Sequence, residues 1–122
     1  DVLPEQMTDR AIEFVARRFR LLGEPQRLRL LRELMNGEQS VNDLAERCGT
    51  GQANVSKHLG LMRMEGLVDF RREGTKKVYR IDDPVIPVLC RLVCGALEER
   101  YMSRLKRLQS GTYPDAALES SR

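Results

Sequence analysis

The chain has 122 residues, of which 41% are apolar and 32% charged, and its net charge is +3. That fits one soluble globular domain, with a core thin enough that buried dimer surface would help complete it. No apolar run is long enough to cross a bilayer, no signal-peptide apolar region is present in the sequence, and three cysteines do not make an evenly paired framework, so a cytoplasmic, reduced protein is expected.

The first predicted helix covers residues 8–22, with Ile12, Val15, Phe19 and Leu22 on one stripe and Thr8 or Asp9 as its cap. Gly23-Glu-Pro25 breaks it. The second helix runs from Pro25 to Met35 and stops at Asn36-Gly37. Ser40 caps a third helix, whose Val41, Leu44, Ala45 and Cys48 share a face. Gly49-Thr-Gly51 then turns the chain into a fourth helix over 52–64, so the third and fourth form a helix-turn-helix.

In the fourth helix Val55, Leu59 and Met62 make an apolar stripe. Gln52, Ala53, Ser56, Lys57 and Gly60 fall largely on the other face. Small, polar and cationic side chains suit close approach to a groove of double-stranded DNA. The period then changes. Leu67–Phe70 and Lys77–Ile81 read as short strands around a Glu73-Gly74-Thr75 turn. Between Lys57 and Arg80 seven Lys/Arg face three Asp/Glu, an excess of four; the whole chain has an excess of three, so the remainder is net negative by one. Positive charge concentrated on a helix and hairpin is the footprint of a nucleic-acid binder. Gln52, Asn54, Ser56, Lys57 and His58 are the expected base and nearby phosphate contacts. Arg71, Arg72, Lys76 and Lys77 are the expected backbone contacts of a wing. The mainly α fold with a small β-hairpin is therefore read as a winged helix-turn-helix.

Asp83-Pro84 opens a last helix that runs to about Leu108. Ile86, Leu89, Val93, Leu97 and Met102 add to the apolar residues of the first helix, so a two-fold homodimer through these two helices is expected. The domain spans 1–109, and the aperiodic residues 110–122 read as a mobile tail. Other chemistry finds little support. His58 lies in the fourth helix and lacks metal-ligand partners in sequence reach. The six aromatics are scattered, unlike a base-stacking platform. No phosphate-binding glycine loop or paired-carboxylate motif is present, and the lone histidine, which a catalytic cysteine would want as its base, lies in the fourth helix, so no enzyme is expected. Cys90 and Cys94, four apart on the last helix, share a face and are candidate sensor thiols. Cys48, at the end of an apolar stripe, is a third candidate, more simply read as buried packing.

Four motifs in order resemble one family. Leu22-Gly-Glu-Pro-Gln-Arg-Leu-Arg-Leu-Leu31, Gly37-Glu-Gln-Ser-Val-Asn-Asp-Leu44, Gln52-Ala-Asn-Val-Ser-Lys-His-Leu59 and Leu61-Met-Arg-Met-Glu-Gly-Leu-Val68 are similar to segments of the ArsR/SmtB bacterial repressors. The resemblance implies a homodimeric winged-helix repressor that leaves its operator when a metal ion or thiol-reactive signal binds; two-fold symmetry would make that operator an inverted repeat. The chain departs from metal-binding members at Ser40 and Asn42, where a cysteine pair would stand. Gly51 stands where a serine would cap the recognition helix. With one histidine, a His-rich zinc or nickel site is not expected. A soft ion such as As(III) or Cu(I), or reactive sulfur, would act at Cys90 and Cys94. The alternatives are a winged-helix regulator with inert cysteines, controlled by another ligand or partner, and a protein-interaction winged helix that does not bind DNA.

Overall fold

Capping chemistry sets most helix boundaries. In the computed structural model, which describes residues 7–110, the elements are α1 (Asp9–Leu22), α2 (Pro25–Leu34), β1 (Gln39–Ser40), α3 (Val41–Cys48), α4 (Gln52–Met64), β2 (Val68–Glu73), β3 (Lys76–Ile81) and α5 (Val85–Ser110). Thr8 caps α1, its Oγ1 accepting from the Ala11 N–H at 3.1 Å. Glu24 caps α2 ahead of Pro25, and the Ser40 hydroxyl accepts from the Asp43 N–H at 3.2 Å to start α3. α4 starts at Gly51 without a side-chain cap. Its first turn instead gains a bond from Asn54 Nδ2 to Thr50 Oγ1 at 3.0 Å. α5 begins one residue later than the expected proline start and reaches Ser110. The expected tail beyond it lies outside the described residues.

The chain divides into two compact units, Asp1–Pro84 and Val85–Arg122. In the first, α2 packs on α1, α3, α4 and β3, and α3 packs on α4. Leu30, Leu31, Leu44, Val55, Leu59, Met62, Leu67 and Val68 form its fully buried centre. The α4 stripe predicted from spacing is thus the buried one. On α1 only Leu22 of the predicted stripe is buried; Ile12, Val15 and Phe19 stay substantially exposed, as does Phe14. Among the described residues, the second unit is α5. Ile86 on it is buried, while Val93, Leu97 and Met102 are exposed. Ile86 is therefore already covered and does not add to free apolar surface.

The sheet is larger than the predicted hairpin. β3 pairs antiparallel with both β2 and β1, giving the order β1-β3-β2. β2 extends three residues past Phe70, because Arg71↔Val78, Arg72↔Lys77 and Glu73↔Lys76 continue the ladder to a two-residue turn. Arg71, Arg72 and Glu73 carry no apolar alternation to mark them as strand, so the cross-strand pairing alone defines this extension. Gly74 occupies the left-handed region there, at φ 64°. β1 has only two residues, too few to show a period.

The link from α4 to β2 is tightly defined. Gly66 adopts φ 78°, and the Leu67 N–H reaches back to the Met62 carbonyl at 2.9 Å. The Leu67 carbonyl in turn accepts from the Asp82 N–H at 2.9 Å, closing the hairpin base. Both ends of the hairpin are thereby tied to the end of α4.

These features predict a graded stability series. Leu59→Ala should cost about 2–5 kcal/mol through cavity formation. Gly66→Ala should cost about 1–2 kcal/mol through left-handed backbone strain. Ser56→Ala, on the exposed face, should stay within about 0.5 kcal/mol. Urea unfolding of the three variants checks the order.

Candidate nucleic-acid interface

Burying Val55, Leu59 and Met62 forces the other side of α4 outward. Gln52, Ala53, Asn54, Ser56 and Lys57 are all exposed, and Gly60 is half-buried. Four of the five residues predicted for groove contact are therefore on the open face. The fifth, His58, is half-buried and turned toward α2. The Arg27 Nε–H donates to His58 Nδ1 at 3.2 Å, and the same guanidinium donates to the Leu21 carbonyl at 2.9 Å. Burial, then the Arg27 charge, pushes the His58 pKa below its usual value. Both effects favour the neutral ring, with Nδ1 as acceptor. Only Nε2 remains to face outward.

The wing sorts its cations by their partners. Arg71 is held by two carboxylates, Glu38 at 3.0 Å and Glu73 at 2.8 Å. Arg80 lies 3.6 Å from Asp69, which also pairs with Arg63 at 2.8 Å. The Arg63 hydrogen bond, followed by one from the Phe70 N–H, holds the Asp69 carboxyl below its usual range. Among the described residues Lys57, Arg72, Lys76 and Lys77 have no carboxylate partner. Of the predicted wing contacts, Arg72, Lys76 and Lys77 are thus uncompensated, and Arg71 is tied down.

Two clefts lie where α4 and the hairpin approach each other. One, of about 400 Å³, is lined by Ser40, Asn42, Gln52, Ser56, Lys76 and Lys77 among others. It brings the start of α3, the start of α4 and the wing tip together. The other, of about 380 Å³, is lined by Ser56, Gly60, Arg63, Phe70, Lys77 and Tyr79 among others. Polar helix face, cationic wing and concave junctions form one continuous surface suited to a polyanion. Arg27, Arg63, Asp69 and Phe70 were not singled out from sequence. Each acts through a partner on another element, which spacing along the chain does not reveal. The one legible signal was alternation: Phe70 and Arg72, with Lys77 and Tyr79 opposite, share a hairpin face.

The sensor candidates are less organised. Cys48, Cys90 and Cys94 are free thiols. Cys48 is half-buried rather than fully buried, and burial followed by Glu33 raises its pKa. Cys90 is half-buried and Cys94 exposed on α5. Burial, then neighbouring Cys94, raises the Cys90 pKa, so its thiolate is disfavoured. Among the described residues no group of three His, Cys, Asp or Glu side chains converges to hold a metal ion. No described helix is long and apolar enough to cross a membrane.

Comparison with known proteins places this geometry. Residues 24–69, from the start of α2 into β2, match the model of bacterial regulatory proteins of the arsR family. The chain is 39% identical over 80 residues to the HTH-type transcriptional regulator KmtR of Mycobacterium tuberculosis, a match covering 66% of this chain and 62% of that protein. It is 39% identical over 77 residues to a probable mercury resistance operon repressor of Streptomyces lividans, covering 63% and 62% respectively. A homodimeric winged helix-turn-helix DNA-binding domain from Mycobacterium bovis superposes with a TM-score of 0.71 at 32% identity, covering 78% of this chain and 88% of that one. The motifs, the winged helix-turn-helix fold and these matches agree: the chain belongs to the ArsR family of bacterial regulatory proteins.

Proposed function

We propose that this chain is a cytoplasmic transcriptional repressor that binds double-stranded DNA as a homodimer. The carrying observation is the division of α4. Its apolar side is buried, its polar side is open, and uncompensated Arg72, Lys76 and Lys77 stand beside it on the wing. α4 enters the major groove, where Gln52, Asn54, Ser56 and Lys57 meet base edges and nearby phosphates. His58 contributes only through Nε2, since Arg27 holds Nδ1. The wing sits on the backbone through Arg72, Lys76 and Lys77, while Arg71 must leave Glu38 and Glu73 to join them. The exposed apolar residues of α1 and of α5 supply the dimer surface, as the homodimeric Mycobacterium bovis domain supports. Two-fold symmetry then calls for an inverted-repeat operator.

The sensor is proposed to be the Cys90/Cys94 pair. Residues four apart on a helix have Cβ atoms about 5–6 Å apart. A disulfide needs about 3.8 Å. A direct bridge would distort α5; a bridge with extra sulfur atoms, a soft ion held by both thiolates, or pairing across the dimer axis fits better. The probable mercury resistance operon repressor supports a thiophilic signal. Two thiolates can hold Cu(I) alone, whereas As(III) calls for a third ligand, which no converging group of three among the described residues supplies. Each event strains α5, and a dimer built through α5 then loses its half-site spacing. The raised Cys90 pKa favours a second reading, in which the thiols only pack and another ligand or partner controls the repressor.

Two results are expected. In fluorescence-anisotropy titrations across salt, Lys76→Ala with Lys77→Ala should weaken binding to all duplexes and lower the salt slope by about one unit per lost phosphate contact. Gln52→Ala should instead change preference among duplexes by about 1–3 kcal/mol per lost base contact. Sequence-independent losses of equal size from both would refute this division.

For the sensor, organic polysulfide or As(III) should release DNA from the wild-type chain. Cys90→Ser and Cys94→Ser should bind DNA and no longer respond. Because the Cys90 pKa is raised, its alkylation rate should keep rising with pH beyond the ordinary thiol range, about 8.5. Serine variants that respond like wild type would assign control to another site.

A further inference from the structure

Phe70 collects more charge than a strand phenylalanine ordinarily meets. The Arg63 guanidinium lies 4.4 Å from its ring centroid, the Lys77 ammonium 4.8 Å and the Arg72 guanidinium 5.7 Å. These three cations come from three elements: the last turn of α4, the start of β3 and the end of β2. The ring is itself fixed. It packs on the buried Tyr79 at 5.2 Å between centroids, and the Phe70 N–H is held by Asp69 Oδ1 at 2.8 Å. Asp69 also takes Arg63 Nε at 2.8 Å, which orients that guanidinium.

The charge balance around the ring is uneven. Asp69 is the carboxylate that pairs with one of the three cations, and it also faces Arg80. Lys77 and Arg72 have no carboxylate among the described residues. A quadrupolar ring face attracts each cation but does not neutralise it. Three cations gathered around one ring repel one another, and a bound anion would relieve that repulsion. The cleft lined by Ser56, Gly60, Arg63 and Lys77 opens beside the ring.

We propose that Phe70 is a positioning residue for DNA binding. Its ring holds Arg63, Arg72 and Lys77 as one preorganised clamp for a backbone phosphate at the junction of recognition helix and wing. This rests on the DNA-binding reading above and adds Arg63 to the contact set. Preorganisation matters because long cationic side chains otherwise lose rotamer freedom on binding. The clamp is indifferent to sequence, since phosphates carry none directly.

The test uses the full chain, Phe70→Leu, Phe70→Tyr and Arg63→Gln. The probe is a labelled mixed-sequence duplex of about 30 base pairs, long enough for two half-sites a turn apart. Proton NMR of the DNA-free proteins reads the Lys77 ε-methylene shift. In wild type and Phe70→Tyr that signal should be displaced upfield by the ring; in Phe70→Leu it should return to the ordinary lysine position. Phe70→Leu should bind the duplex about three- to tenfold more weakly with a smaller salt slope, Phe70→Tyr should restore binding, and Arg63→Gln should show a loss like that of Phe70→Leu. Unchanged amide spectra for β2 and β3 show that the wing remains folded; a Phe70→Leu loss accompanied by collapse of those spectra, without rescue by Tyr, overturns the positioning role. Phe70→Leu binding like wild type also overturns it and leaves the DNA-binding reading intact. A wild-type chain that ignores the duplex overturns both.

Discussion

The buried stripe of Val55, Leu59 and Met62 is the constraint on which the rest depends. It fixes the rotation of α4 about its own axis, so every other side chain on that helix inherits its direction. Rotating the helix to expose Leu59 would cost several kcal/mol of apolar burial, about 2–3 kcal/mol for that side chain alone. No single polar contact on the outer face approaches that figure. The core therefore orients the polar face of α4, which the proposed function assigns to DNA. Polar residues there need no partner within the protomer, which is why Gln52, Ser56 and Lys57 stand open.

A second constraint carries that orientation into the wing. Gly66, at φ 78°, lets the Leu67 N–H cap the Met62 carbonyl, and the Leu67 carbonyl takes the Asp82 N–H. The hairpin is thus attached at its base to the end of α4. Arg63 adds a side-chain strut to Asp69, and Arg71 ties the wing to Glu38 ahead of β1. Exposed ion pairs of this kind add little to stability. Their effect is geometric: they commit Arg71 to Glu38 and Glu73, while Arg63, bound to Asp69 through Nε alone, is oriented with its remaining guanidinium N–H groups available to a polyanion.

Much of this architecture was legible in the sequence because it rests on local rules. The stripe of α4, the Ser40 cap, the Asn36-Gly37 stop and the left-handed Gly74 follow from spacing and backbone preference. What was missed depended on partners distant in sequence. β1 is a strand only because β3 pairs with it, and Arg71–Glu73 extend β2 only because Lys76–Val78 lie opposite. His58 sits on the flank of the buried stripe by spacing, but that its Nδ1 is held by Arg27, 31 residues earlier, is not visible along the helix. The counts of cationic residues in the wing were correct, but their availability was set by Glu38, Asp69 and Glu73, which charge counting does not place.

The central claim is that two copies of this chain present two recognition helices to one DNA duplex. Capture of genomic fragments by the purified full chain, followed by sequencing, tests it most directly. The account predicts that the captured fragments share an inverted repeat whose half-sites are centred about one helical turn, roughly 10 base pairs, apart or a multiple of it. Captured DNA with no shared sequence, or with a single half-site lacking a symmetric mate, would contradict it.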